Sequence, residues 1–209
     1  MSTSTITLYR PTGPEELALV ELSGFKAWPP RLPDQPIFYP VTNEEYAVQI
    51  ARDWNTRSGT LAGYVTSFAI DDDYAAGFPV ETVGARDHSE LWVPADQLAE
   101  FNRHLGGPIA VLDAFFGADF RGFVPTSAAL RGRDAIAQLV TLAALHRGVA
   151  GELRAEVAAN PEVIFAHLPF WTGRSFVDEG VSDAARAAVL DAIRQAWAEV
   201  SPSLALPDG

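Results

Sequence analysis

Residues 36–55 read PIFYPVTNEEYAVQIARDWN, and this stretch places a short strand directly before a helix. Residues 37–39 form an apolar run between two prolines, which is typical of a short strand. Thr42 or Asn43 can cap the helix, and the two glutamates that follow favour its first turn. Apolar side chains then recur at helical spacing and predict one buried stripe, at Tyr46, Ala47, Ile50 and Trp54.

Further short elements surround this strand–helix unit. Thr5–Arg10 predicts a first strand, and Pro14 at an early helical position, followed by acidic residues, predicts a helix after it. More strands are predicted at 63–70, 78–83, 89–93 and 108–116. Over residues 5–116 the pattern predicts a mixed, mostly antiparallel sheet with two helices.

The pattern changes near Gly117. Beyond it the chain is rich in alanine and predicts helices at 134–146, 151–159 and 182–200. We therefore expect the fold class α+β, with an N-terminal domain over residues 1–116 and a helical C-terminal domain or extension over residues 117–209. Residues 167–174, HLPFWTGR, predict an aromatic loop that lines a pocket, contacts a partner or plugs the gap between two helices.

The composition argues against several classes of protein. The net charge is −12 and no basic cluster is longer than Arg131-Gly132-Arg133, which argues against nucleic acid as a partner. The absence of cysteine excludes disulfides and thiol nucleophiles. No apolar stretch reaches the roughly 20 residues that span a membrane, and the N-terminus does not resemble a signal peptide. We expect a cytoplasmic protein, and its single Lys and many alanines indicate a GC-rich bacterial genome.

The common catalytic and metal-binding signatures are missing. The sequence has no Gly-rich phosphate loop, no GxSxG elbow and no HExxH pair. The four histidines are scattered, and no two of them lie at the spacing of metal ligands on a helix. The three aspartates at 71–73 end a predicted strand. We therefore expect no metal site.

Three segments carry the candidate chemistry, in a fixed order along the chain. They are LYR, which ends in Arg10, IFY, which ends in Tyr39, and SELWV, which contains Glu90. This order resembles the ADP-ribosyltransferase superfamily. That superfamily has a His or Arg on the first strand, an aromatic strand followed by a helix, and a Glu that begins a later strand. The resemblance covers roughly residues 5–116.

The resemblance implies an NAD-dependent ADP-ribosyltransferase, or another NAD-consuming enzyme, with NAD as its substrate. Arg10 would hold the pyrophosphate through paired hydrogen bonds. Tyr39 or Tyr46 would stack on the nicotinamide, with His88 near the rim of the site. Glu90 would stabilise the positive charge that develops on the ribose as the glycosidic bond breaks. Arg10, Tyr39 and Glu90 are accordingly expected to approach one cleft.

The same region is similar to a group of small bacterial proteins designated ADP-ribosylation/crystallin J1, through the runs LYRP, IFYPV, IARDWN and ELWVP. The second segment has neither the Ser-Thr-Ser motif of the arginine branch nor the leading Gly, and the run Ser2-Thr3-Ser4 lies before the first predicted strand. The alternative is a non-catalytic binding or partner-neutralising module on the same fold, whose helical half contacts a basic protein partner. A small-molecule enzyme of unrelated type is a third reading, because fold does not fix function.

Overall fold

The chain divides into two compact units, Met1–Phe116 and Gly117–Gly209. The computed structural model describes residues 4–83 and 88–207. The first unit combines small antiparallel sheets with short helices and the second is helical, so the fold is α+β. Among the helices of the described residues, none is both long enough and apolar enough to cross a membrane.

The first unit is built from short strands and helices. Its strands are β1 (Thr5–Thr12), β2 (Ile37–Phe38), β3 (Ala62–Asp71), β4 (Val80–Thr82), β5 (Ser89–Leu91), β6 (Val93–Pro94) and β7 (Ala110–Phe116). Its described residues form four α-helices instead of the two expected, namely α1 (Pro14–Leu22), α2 (Glu44–Gln49), α3 (Asp72–Ala75) and α4 (Leu98–Arg103). A π-helical segment, Ile50–Trp54, continues α2 directly.

Side-chain caps set the ends of these elements. The Asn43 side chain accepts the backbone N–H of Tyr46 at 2.8 Å and so begins α2. The Asp71 side chain accepts the backbone N–H of Tyr74 at 3.1 Å. The run of aspartates therefore ends β3 by starting a helix, α3, at the next residue.

Antiparallel pairing extends across most of the first unit. β1, β3 and β7 form a three-stranded sheet in the order β1-β3-β7. Isolated antiparallel bridges continue beyond β1, since Tyr9 pairs with Val41 and Val41 pairs with Glu90 of β5. β5 pairs in turn with β4. The order of neighbours is therefore β4, β5, the segment around Val41, β1, β3 and β7.

The two faces of this row of strands bury different side chains. Because alternate strand residues point to opposite faces, Tyr9 and Arg10 lie on different sides of β1. The Arg10 side covers an aromatic cluster with ring centroids 5.2–6.0 Å apart, formed by Trp28, Phe38, Phe68 and Phe101. The Tyr9 side packs against α2 in a second cluster of Val41, Tyr46, Ala47, Ala51 and Val65.

The π-helical segment alters the apolar stripe that the sequence predicts. A π-helical turn holds an extra residue, so the stripe does not continue to Trp54, which is 52% exposed. The expectation that Trp54 faces the core is therefore wrong. The segment also lies tightly against β3, where a Cβ at Gly63 would be 2.3 Å from the carbonyl oxygen of Ala51. Only glycine permits this approach.

The second unit contains four helices among its described residues. They are α5 (Ala135–Arg147), α6 (Glu152–Ala159), α7 (Pro161–Gly173) and α8 (Asp183–Val200). The expectation of an aromatic loop at 167–174 is wrong, because most of that stretch belongs to α7. Pro161 suits the first turn of this helix, and Pro169 is tolerated inside it. Packing explains why the helix continues through Pro169, since every residue from 163 to 171 is buried.

His167 is a structural residue of this buried helix. Its Nδ1 lies 2.7 Å from Oε1 of Gln138, and its Nε2 accepts the backbone N–H of Phe123 at 2.9 Å. Burial lowers the pKa of His167 to about 3, so the ring is neutral. A Cβ at Gly122, whose φ is +70°, would be 2.2 Å from this ring. Of the three roles open to residues 167–174, the buried plug fits His167 best.

Candidate functional site

Strand pairing brings together the three segments that carry the candidate residues. Tyr9 of β1 pairs with Val41, and Val41 pairs with Glu90. The backbone N–H of Leu91 also donates to the carbonyl of Pro40 at 2.8 Å. The segments resembling the ADP-ribosyltransferase motifs are therefore adjacent in space, although they are distant in sequence.

Glu90 is half-buried, and a tyrosine of α2 holds its carboxylate. The Tyr46 hydroxyl donates to Oε1 of Glu90 at 3.2 Å. The ring of Tyr46 stacks on His88 with centroids 4.0 Å apart and planes at 7°. His88 in turn contacts Gln49, with 3.1 Å between Nε2 and Oε1. The structure thus brings together three of the expected site residues, namely Tyr46, His88 and Glu90.

The protonation state of Tyr46 follows from its surroundings. Burial raises the pKa of the phenol, and the neighbouring charge of Glu90 and the hydrogen bond to it raise that pKa further. At neutral pH the hydroxyl therefore keeps its proton and acts as the donor. One oxygen of the Glu90 carboxylate is oriented in this way.

Tyr39 belongs to an aromatic pair beside Glu90. Its ring meets Trp92 edge-on, with centroids 5.4 Å apart at 82°. Trp92 lies two residues after Glu90, and burial of Leu91 and Val93 places the two side chains on the same face. The indole N–H of Trp92 is buried and has no acceptor among the described residues. The Glu90 side of the sheet therefore has a partly exposed aromatic pair, whose indole N–H lies beneath the surface.

Arg10 does not share this site, and the expectation of one cleft for Arg10 and Glu90 is wrong. Its guanidinium forms a two-pronged ion pair with Glu16, with N–O distances of 2.8 and 3.0 Å. A third N–H donates to the carbonyl of Tyr39 at 3.1 Å, and the group lies 4.6 Å from the ring centroid of Phe38. Arg10 is adjacent to Tyr9 in β1 and thus points to the opposite face. It connects α1 to the strands.

A second arginine joins the ion pair of Arg10. Nη1 of Arg31 lies 3.5 Å from Oε1 of Glu16. Burial lowers the pKa of Arg31, and the charge of Arg10 lowers it further, while the charge of Glu16 opposes both effects. Arginine stays charged under any of these shifts. Arg10, Glu16 and Arg31 form a structural ion cluster on the opposite face of the strands from Glu90.

A polar groove lies on the outer side of α2. It has a volume of about 630 Å³ and is lined by Glu44, Glu45, Val48, Gln49, Arg52 and Asp53. Arg52 is paired with Asp53, at 3.0 Å, so the other two carboxylates leave the groove acidic. Gln49 links the groove to His88 and thereby to Glu90.

Sequence reasoning missed several residues that the structure places around Glu90. They are Gln49, Trp92 and Glu81, and no local pattern in the sequence singles them out. Strand register was the missing information, because only the pairing of β4 with β5 sets Glu81 opposite Glu90.

In the ranges 4–83 and 88–207, no group of three His, Asp or Glu side chains could hold a metal ion. Comparison of the chain with protein-family models, with characterised proteins and with solved structures gives no match.

Proposed function

We propose that the first unit is an ADP-ribosyltransferase-like domain that binds NAD and cleaves its nicotinamide–ribose bond. One observation carries this proposal. Three distant segments meet so that Glu90, fixed by Tyr46, lies beside the aromatic pair of Tyr39 and Trp92. The adjacency of the three motif-like segments, with the Val41 segment between β1 and β5, supports the resemblance.

The roles of the side chains follow from their chemistry. Cleavage of the glycosidic bond develops positive charge on the ribose, and a fixed carboxylate stabilises that charge. Glu90 is oriented for this role by Tyr46, which removes part of the cost of reorganisation. The flat nicotinamide ring would pack on Tyr39 or Trp92, since His88 already covers one face of Tyr46. Arg10 has no direct role in this scheme.

NAD binding is the first test of this function. A ligand that binds only the folded state raises its stability, by about 2.7 kcal/mol at a ligand concentration of 100 times Kd. Thermal unfolding with NAD, ADP-ribose and nicotinamide as separate ligands would show which part of NAD is recognised. We expect an increase in Tm with NAD, and Trp92→Ala should reduce it. No increase at millimolar NAD would contradict the proposal.

A further inference from the structure

The strand pair next to Glu90 places a second carboxylate on the same face. β4 and β5 are antiparallel, and Glu81 pairs directly with Glu90. Backbone hydrogen bonds on both sides of this pair fix the register, from Val83 to the carbonyl of His88 at 2.8 Å and from Trp92 to that of Pro79 at 2.9 Å. Directly opposed residues of an antiparallel pair have Cβ atoms about 4.5–5.5 Å apart.

Two like charges in this position destabilise the strand pair. Oε1 of Glu90 already accepts a hydrogen bond from the Tyr46 hydroxyl, whereas no described residue donates a hydrogen bond to the Glu81 carboxylate. Glu81 is exposed to solvent, and Glu90 is half-buried. The two carboxylates are therefore suited to different tasks, one held in place and one accessible to water.

Other neighbours of Glu90 are poorly suited to take a proton from an incoming nucleophile. Val41, on the other side of Glu90, is apolar. His88 is stacked on Tyr46, and its Nε2 is engaged with Gln49. Tyr46 keeps its own proton, which it shares with Glu90 only as a hydrogen bond, so it cannot accept another. Among the described residues around Glu90, Glu81 is the carboxylate that is exposed to solvent and accepts no hydrogen bond.

We propose that Glu81 is the general base that deprotonates the acceptor, a neutral O–H nucleophile for which water is the simplest case; this inference rests on the proposed function. The C–N bond between ribose and nicotinamide breaks, and its electron pair leaves with the nicotinamide, which becomes neutral. The oxygen of water bonds to C1′ of the ribose. Its proton passes to the Glu81 carboxylate and then to solvent. Glu90 stabilises the positive charge, and Glu81 accepts the proton.

Azide separates the two roles, because it is an anionic nucleophile that needs no deprotonation. Nicotinamide release from NAD would be followed for the wild-type protein, Glu81→Gln and Glu90→Gln, with and without azide. Loss of a general base typically lowers the rate about 10²–10⁴-fold. We expect Glu81→Gln to lower kcat by about 10²-fold or more with little change in KM, and azide to restore nicotinamide release. Azide should not rescue Glu90→Gln.

The control is Glu100→Gln, which removes an exposed carboxylate of α4, the helix whose Phe101 packs in the aromatic cluster on the Arg10 side. It should leave kcat unchanged. Glu81→Gln relieves a repulsion, so its Tm should equal or exceed that of the wild-type protein. Full activity of Glu81→Gln, or a loss of activity that azide does not restore, would overturn the role of Glu81 while Glu90 keeps its own. A wild-type protein that releases no nicotinamide would instead overturn the proposed function, and the inference with it.

Discussion

At the scale of single residues, position on one face or the other of a strand decides the function open to a side chain. Arg10 and Tyr9 are neighbours in sequence, yet Arg10 is held by Glu16 and Tyr9 lies in the row that leads to Glu90. The sequence identifies Glu90, Tyr46 and His88 as candidates, and the structure brings them together. The sequence alone could not show that Arg10 points to the opposite face from Glu90. The pairing of β1 with a distant segment determines on which face each side chain lies.

The hydrogen bond from Tyr46 to Glu90 should matter for turnover. Tyr46→Phe removes one donor to a charged group, which is worth about 1.5–3 kcal/mol, and we expect kcat for nicotinamide release to fall about 10- to 100-fold. The control is Tyr74→Phe, because Tyr74 also stacks on a histidine, His104, with centroids 3.7 Å apart. Equal rates for Tyr46→Phe and the wild-type protein would show that the bond has no catalytic role.

Arg10 should contribute to stability instead of NAD binding. Without Arg10, only the more distant Arg31 would compensate the charge of Glu16. Arg10→Ala should therefore lower the free energy of unfolding by about 3 kcal/mol, the lower end of the range for breaking a buried ion pair. The Arg10 and Glu16 side chains are 10% and 19% exposed, which makes this pair largely buried. Urea unfolding would measure the loss, and Glu16→Ala should cause a similar one. Unchanged stability together with a tenfold increase in KM for NAD would restore the pyrophosphate role of Arg10.

At the scale of elements, local signals in the sequence predict where most strands and helices lie. The strand at 37–39, the Asn43 cap and the helix after it follow from residue types within one or two turns. Two of the features that the sequence does not predict depend on tertiary packing. α7 includes Pro169 since its burial on all sides outweighs one missing hydrogen bond, and the π-helical turn at 50–54 has no distinct local signal.

The contact between the π-helical segment and β3 should be sensitive to a single methyl group. Gly63→Ala would place Cβ 2.3 Å from the Ala51 carbonyl oxygen, so the backbone must shift. We expect a loss of about 1–3 kcal/mol in the free energy of unfolding, as for overpacked cores. The matched control is Gly107→Ala, since a Cβ at Gly107 meets no atom within 4 Å. Equal free energies of unfolding for the two variants would show that the π-helical segment can shift without destabilising the protein.

At the scale of the whole molecule, charge is distributed unevenly between the two units. Residues 1–116 contain 16 acidic and 7 basic side chains, and residues 117–209 contain 11 and 8. If the protein were a binding module for a basic partner, the acidic surface would therefore belong mainly to the first unit. The expected use of the helical half as a charged interface has less support. Charge reversals at Glu44 and Glu45, in the acidic groove, would be the informative variants.

The second unit should lose stability in acid because of His167. The pKa of this residue falls from an ordinary 6.5 to about 3 on folding, so the unfolded chain binds a proton first as pH decreases. The contribution of His167 leaves the free energy of unfolding at its full value above pH 6.5. Between pH 6.5 and pH 3 that free energy should decline by up to about 1.4 kcal/mol per pH unit. Hydrogen exchange of the α7 amides, measured as a function of pH, would report this loss of stability.

His167→Gln should flatten this decline in acid. The control is His146→Gln, at an exposed position of α5, which should keep the wild-type slope. Identical slopes for His167→Gln and the wild-type protein would show that other groups cause the loss of stability. Comparison at pH 7 would separate the cost of the lost contacts with Gln138 and Phe123 from the titration.

Release of nicotinamide from NAD by wild-type protein and by Glu90→Gln tests the central claim most directly. Glutamine keeps the size of glutamate but cannot offset positive charge on the ribose, so kcat should fall about 10²–10³-fold. Binding of NAD, measured by calorimetry, should stay within about threefold of the wild-type value, because Glu90 acts on the transition state. Wild-type protein that binds no NAD and releases no nicotinamide, or equal turnover by Glu90→Gln, would contradict the account.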